Sequence, residues 1–179
     1  MVTSASPLEL GIDFSHFIPI PADAAQTTYV DGGPLRIGVE YRVLDIDTAA
    51  EVREPDGQLA TGRMGFADRG FCLHVYDRAT GLEHLRFDIF DDEPHYHYMM
   101  PGTSNIVVVF DSAANGDMLE WTISCLEKRL SVMLVQAGAV DLAKAVNGGL
   151  PSEAIAEVLQ LVRANDEMAE GGQVPSVDA

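Results

Sequence analysis

From Leu35 onward the chain alternates, with Leu35, Ile37, Val39, Tyr41 and Val43 on one side and Arg36, Glu40 and Arg42 on the other. That is the period-two pattern of a half-buried strand. Two β-rich runs then flank Asp77-Arg78-Ala79-Thr80-Gly81. Gly81 can take the positive φ that closes a short loop, so residues 70–90 are expected to form a hairpin. Pairing Tyr76 with Leu82 sets Phe71 against Phe87 and Leu73 against Leu85 on one face. The other face then carries Cys72, His74, His84, Arg86 and Asp88. After the acidic turn Asp91-Asp92-Glu93-Pro94, the stretch His95-Tyr96-His97-Tyr98-Met99-Met100 alternates again, and residues 106–110 form a further apolar run. Two more strands are expected there. A short strand is also expected over 59–64, behind a Pro55-Asp56-Gly57 turn.

The C-terminal third changes period. Leu119, Ile123, Leu126, Leu130, Met133 and Ala137 recur every three or four positions, one continuous helical stripe behind an Asp117 N-cap. The pattern is expected to run on past Gly138 to Val146 and stop at Asn147-Gly148-Gly149. A second helix starts at Pro151 and presents Ile155, Val158, Leu159 and Val162 on one side. No helix-length segment separates the strands. The expected fold is therefore α+β: a mostly antiparallel sheet of four to five strands over 35–111, with two or three helices over 117–168 packed against it. Residues 1–34, with Pro19, Pro21 and Asp31-Gly32-Gly33-Pro34, read as an irregular arm pinned by Phe14, Phe17 and Ile18. Residues 35–168 read as the domain and 169–179 as a flexible tail.

Composition narrows the function classes. The chain has 179 residues, 47% hydrophobic and 22% charged, which is ordinary globular composition. Its formal charge of −17 comes from 28 acidic against 11 basic residues. Such a surface repels a phosphate backbone, and there is no basic run to release counterions, so neither nucleic acid nor an anionic membrane is an expected partner. Cys72 and Cys125 form neither a C-x-x-C pair nor a disulfide framework. With no secretory leader pattern and no long apolar span, a cytoplasmic location is expected. The helical stripe over 119–137 covers the sheet on the simplest reading, and a homodimer through it is the alternative.

Candidate chemistry concentrates in one place, because four of the five histidines lie within residues 74–97. His95 and His97 alternate on a strand, which projects both imidazoles from one face about 7 Å apart at Cα. They are candidate ligands for a divalent transition metal, and His74, His84 or Asp88 on the hairpin's polar face would complete the set. The spacing is not the cupin motif, which needs a glutamate where Pro101 stands. Arg86 and Asp88 are expected either to orient a histidine or to tie two strands together. There is no G-x-S-x-G elbow, Walker loop, dinucleotide fingerprint or H-E-x-x-H.

The order His74-Val75-Tyr76-Asp77, Gly81, Leu85-Arg86-Phe87-Asp88 and Pro94-His95-Tyr96-His97-Tyr98 resembles bacterial families of unknown function. More loosely it is similar to the TumE-like toxins of bacterial toxin–antitoxin pairs, with a tyrosine-rich strand, a glycine turn, an Arg-(Tyr/Phe)-Asp strand and a histidine cluster. The resemblance implies Arg86, Asp88, His95 and His97 as the matched positions, and growth inhibition as one activity. The residues themselves support two other readings. One is a non-catalytic binding or regulatory module whose histidine-rich face, with His74, His84, Arg86 and Asp88, takes a small ligand or a protein partner. The other is a metal-dependent enzyme with His95 and His97 as ligands and an activated water.

Overall fold

In the computed structural model, residues 12–13, 20–44, 68–101 and 104–170 are described. The sheet is antiparallel and seven-stranded, in the order β1-β7-β6-β5-β4-β3-β2. Its strands are β1 (Ile12–Asp13), β2 (Thr28–Gly32), β3 (Leu35–Leu44), β4 (Asp68–Asp77), β5 (Glu83–Phe90), β6 (His95–Met100) and β7 (Ser104–Val109). Apart from β1, which returns to pair with β7, each strand lies beside its neighbour in sequence. Helices α1 (Ser112–Asn115), α2 (Met118–Lys128), α3 (Leu130–Gln136), α4 (Val140–Val146) and α5 (Ser152–Glu170) follow. The α+β class is as expected, with more strands and more helices than the pattern suggested. Two of the added strands come from the segment read as an irregular arm. The expected strand over 59–64, the turn at Pro55-Asp56-Gly57, the pinning residues Phe14, Phe17 and Ile18, and the tail beyond 170 lie outside the described residues.

One sheet face forms the main core. Leu35, Ile37, Leu73, Leu85 and Phe87 are fully buried against Leu126, Leu130, Leu134 and Val158 from the helices. Asp117 caps α2 by accepting the Glu120 N–H at 2.9 Å. The expected single helix over 119–137 is instead broken at Arg129, whose φ of −125° and ψ of 0° leave the helical region. The cause is the loop after α4. The Ser131 N–H donates to the Gly148 carbonyl rather than to its helical partner, and the Leu150 N–H donates to Leu126. Gly149 lets the loop approach so closely, since a Cβ there would come 1.9 Å from the Glu127 oxygen. A second break falls at Gly138, whose φ of 79° ends α3 where the pattern suggested continuation. Asn147 adopts the left-handed conformation that ends α4, as its place before two glycines implied. No helix among the described residues is long and apolar enough to cross a membrane.

The hairpin keeps the expected faces except at His84, which the polar face was expected to carry, and it does not keep the expected register. Leu73 pairs with Phe87, Val75 with Leu85 and Phe71 with Ile89, two residues from the expected pairing. Part of the offset comes from the turn, which closes with the Asp77 N–H donating to Leu82, one residue later than Tyr76. The rest comes from a bulge. Val75 faces Leu85 while Tyr76 faces Glu83, so His84 is an extra residue on β5. A two-residue shift preserves side-chain parity, so Cys72, His74, Arg86 and Asp88 stay together.

Candidate metal centre

The second face of the sheet is polar and buried. Glu40 and Arg42 of β3, expected on the solvent side, are 3% and 8% exposed, and His74, Arg86, Asp88 and His97 are buried beside them. Residues 20–27 strap this face. The Ile20 carbonyl accepts from Arg86 Nη1 at 2.7 Å, and the Pro21 carbonyl accepts from Arg42 Nη2 at 2.7 Å. Gly38 makes room for the strap, because a Cβ there would meet the Thr27 methyl at 2.9 Å.

Two groups divide this face. In the first, Arg42 makes a two-pronged pair with Glu40, and Arg86 does the same with Glu83. His74 bridges them, with Nδ1 2.7 Å from Glu83 Oε1 and Nε2 3.1 Å from Glu40 Oε2. Burial pushes the His74 imidazole down, but these two hydrogen bonds outweigh it and raise its pKa. Burial likewise pushes Glu83 up, and the bonds from Arg86 and His74 hold it down at about 2. Glu83 reaches this face through the bulge, which inverts the alternation at the start of β5. His84 is absent from both groups, and its Nδ1 is buried without a hydrogen-bond partner among the described residues. His74 and Arg86 are thus engaged with carboxylates, and His84 supplies nothing to either group.

The second group contains Asp88, His95 and His97, whose potential ligand atoms all lie within 4.8 Å of one another. Register puts Asp88 opposite His95 and beside His97 on the same face. His97 Nε2 is 2.9 Å and His95 Nε2 is 3.2 Å from the same atom, Asp88 Oδ2. On the far side of each ring, His95 Nδ1 donates to the Glu93 carbonyl at 2.7 Å, and His97 Nδ1 to Asn105 Oδ1 at 3.0 Å. A backbone carbonyl only accepts, so the Nδ1 proton of His95 is fixed and its Nε2 carries the lone pair unless a second proton binds there. Two such lone pairs aimed at one carboxylate oxygen repel it unless a proton or a cation lies between them. Burial pushes the Asp88 carboxyl up, yet its bonds to His95 and His97 hold it well below the usual carboxylate range. For His97 burial wins, and its pKa is lowered despite Asp88. The other Asp88 oxygen, Oδ1, is buried without a hydrogen-bond partner among the described residues. Cys72 faces Asp88 across the strand pair, its thiol pushed well up by burial and by the Asp88 charge.

The ligand chemistry fits a metal ion. Bonds of about 2.0–2.1 Å around a tetrahedral centre put the ligand atoms about 3.3 Å apart, close to the 2.9 and 3.2 Å that separate Asp88 Oδ2 from the two Nε2 atoms, within a set of ligand atoms that spans at most 4.8 Å. Nδ1–H bonds to a carbonyl and an amide oxygen are also what hold metal-binding imidazoles in the tautomer that frees Nε2. The buried Asp88/His95/His97 group could therefore bind a metal. Pattern alone pointed to the two histidines and offered Asp88 as one of three possible completions. It missed Glu40, Arg42, Glu83 and Asn105, of which only the Glu40 and Arg42 alternation on β3 carried any signal.

A family model described as a domain of unknown function (DUF7700) matches residues 29–162, well over half of the chain. No curated protein and no solved structure matches it.

Proposed function

The chain belongs to the DUF7700 family, and we propose that it is a metal-binding module that holds one divalent transition-metal ion on His95 Nε2, His97 Nε2 and Asp88. The observation that carries this reading is the convergence of both Nε2 atoms on one Asp88 oxygen, with each Nδ1 tied to an acceptor on its other side. Imidazole and carboxylate together suit zinc, iron, manganese or nickel rather than calcium or magnesium. Asp88 and His97 are 4% and 5% exposed, which leaves little approach for a substrate and favours a held ion over turnover.

Elemental analysis of untagged protein tests it, together with melting temperatures in the presence of added zinc or manganese. About one equivalent of metal and a raised melting temperature are expected, because a ligand that binds only the native state must stabilise it. His97→Ala should abolish both. Metal below about a tenth of an equivalent, with no thermal response to any divalent ion, would contradict the reading.

A further inference from the structure

Strand β6 alternates histidine and tyrosine. The pleat that turns His95 and His97 to the polar face therefore turns Tyr96 and Tyr98 to the helices. Between β6–β7 and helices α2–α3 lies a groove of about 610 Å³, whose lining includes Tyr96, Tyr98, Trp121, Arg129, Val132 and Met133. That volume falls within the roughly 300–1,000 Å³ range of small-molecule sites.

One wall is aromatic and fixed from behind. The Trp121 ring lies 5.0 Å from Tyr96 and 5.1 Å from Phe110, and Tyr96 meets Tyr98 edge-on at 5.7 Å. The cation comes from the helix break. Arg129 sits at the junction of α2 and α3, exposed, and among the described residues its side chain has no hydrogen bond or ion pair. Its charge bears on both tyrosines, opposing the burial that raises Tyr96 to about 12. The acid in the lining, Asp111, is turned to another task, accepting the Ala113 and Ala114 N–H groups at the start of α1. In a chain of charge −17, a guanidinium without a carboxylate partner beside an aromatic wall offers a charge and a stacking surface that a planar anion could use together.

We propose that this groove binds a planar aromatic carboxylate, its ring against Trp121 and Tyr96 and its carboxylate on the Arg129 guanidinium. The site lies on the opposite face of the sheet from Asp88, His95 and His97 and stands independently of metal binding. The competing occupant is a second copy of the chain, since Val132 and Val135 on α3 are 68% and 52% exposed.

Trp121 is the only tryptophan, so its indole N–H resonance reports on the groove directly. Titration of 15N-labelled full-length protein with 2-naphthoate is expected to shift that resonance saturably. The neutral isostere 2-naphthamide and the Arg129→Gln variant should each bind at least about tenfold more weakly. Arg129→Lys, which keeps the charge and loses the planar fork, should fall between. Three results would each overturn the proposal: no saturable shift at millimolar naphthoate, equal binding of acid and amide, or equal binding by Arg129→Gln. So would a stable dimer in sedimentation that Val132→Asp dissociates, because the groove would then be covered by a second copy.

Discussion

His74 is placed to hold a second proton, and its hydrogen bonds to Glu40 and Glu83 raise its pKa against burial. Both its ring nitrogens face carboxylate oxygens, which only accept when ionised, so the doubly protonated ring is the form that satisfies both. Its charge, with those of Arg42 and Arg86, sits among Glu40, Glu83 and Asp88 in a buried setting where a missing partner is costly. Glu83 makes this testable. Its pKa is depressed from 4.5 to about 2, so its contribution is fully present above pH 4.5 and is lost as pH falls through about 2. A drop of that size corresponds to stability on the order of 3 kcal/mol. Denaturant unfolding of the parent and of Glu83→Gln at pH 7 and pH 2.5 measures it. The variant should be less stable at pH 7 and lose less on acidification, whereas equal losses would locate the acid sensitivity elsewhere. The raised pKa of His74 acts in the opposite sense. Its share is present below about 6.5 and is lost as pH rises through the folded value.

Elements with a strong period were legible from sequence, and irregularities of a single residue were not. The alternation of β3, the hairpin closed by Gly81, the Asp117 cap and the Asn147 stop all follow from local chemistry that leaves a mark in the residues. The bulge at His84 leaves none, since any residue can be the extra one, and it is what brings Glu83 in beside His74 and Arg86. The break at Arg129 depends on a loop 19 residues away in the chain docking at Ser131 and Gly148, a tertiary cause that periodicity cannot carry. The burial of Glu40 and Arg42 depends on the strap formed by residues 20–27. Gly38 tests that strap. An alanine there would bring its Cβ within 2.9 Å of the Thr27 methyl and 3.4 Å of His74 Cβ, and overpacking of this kind costs about 1–3 kcal/mol. Gly38→Ala is expected to lower stability by that amount and to speed amide exchange in residues 20–27 first. Unchanged exchange there would mean that the strap is held by something other than this fit.

Taken whole, the molecule uses its sheet twice, with a buried ionic face under the strap and an apolar face under the helices. Strand β6 contributes to both, histidines to one and tyrosines to the other. A net charge of −17 favours cations near the chain, in keeping with the proposed ion on Asp88, His95 and His97. The most direct measurement is anomalous diffraction at the zinc edge from crystals of untagged protein grown with zinc. One peak is expected at about 2.0–2.2 Å from His95 Nε2, His97 Nε2 and an Asp88 oxygen. Zinc bound only at surface carboxylates, with Asp88 still hydrogen-bonded to both imidazoles, would contradict the account.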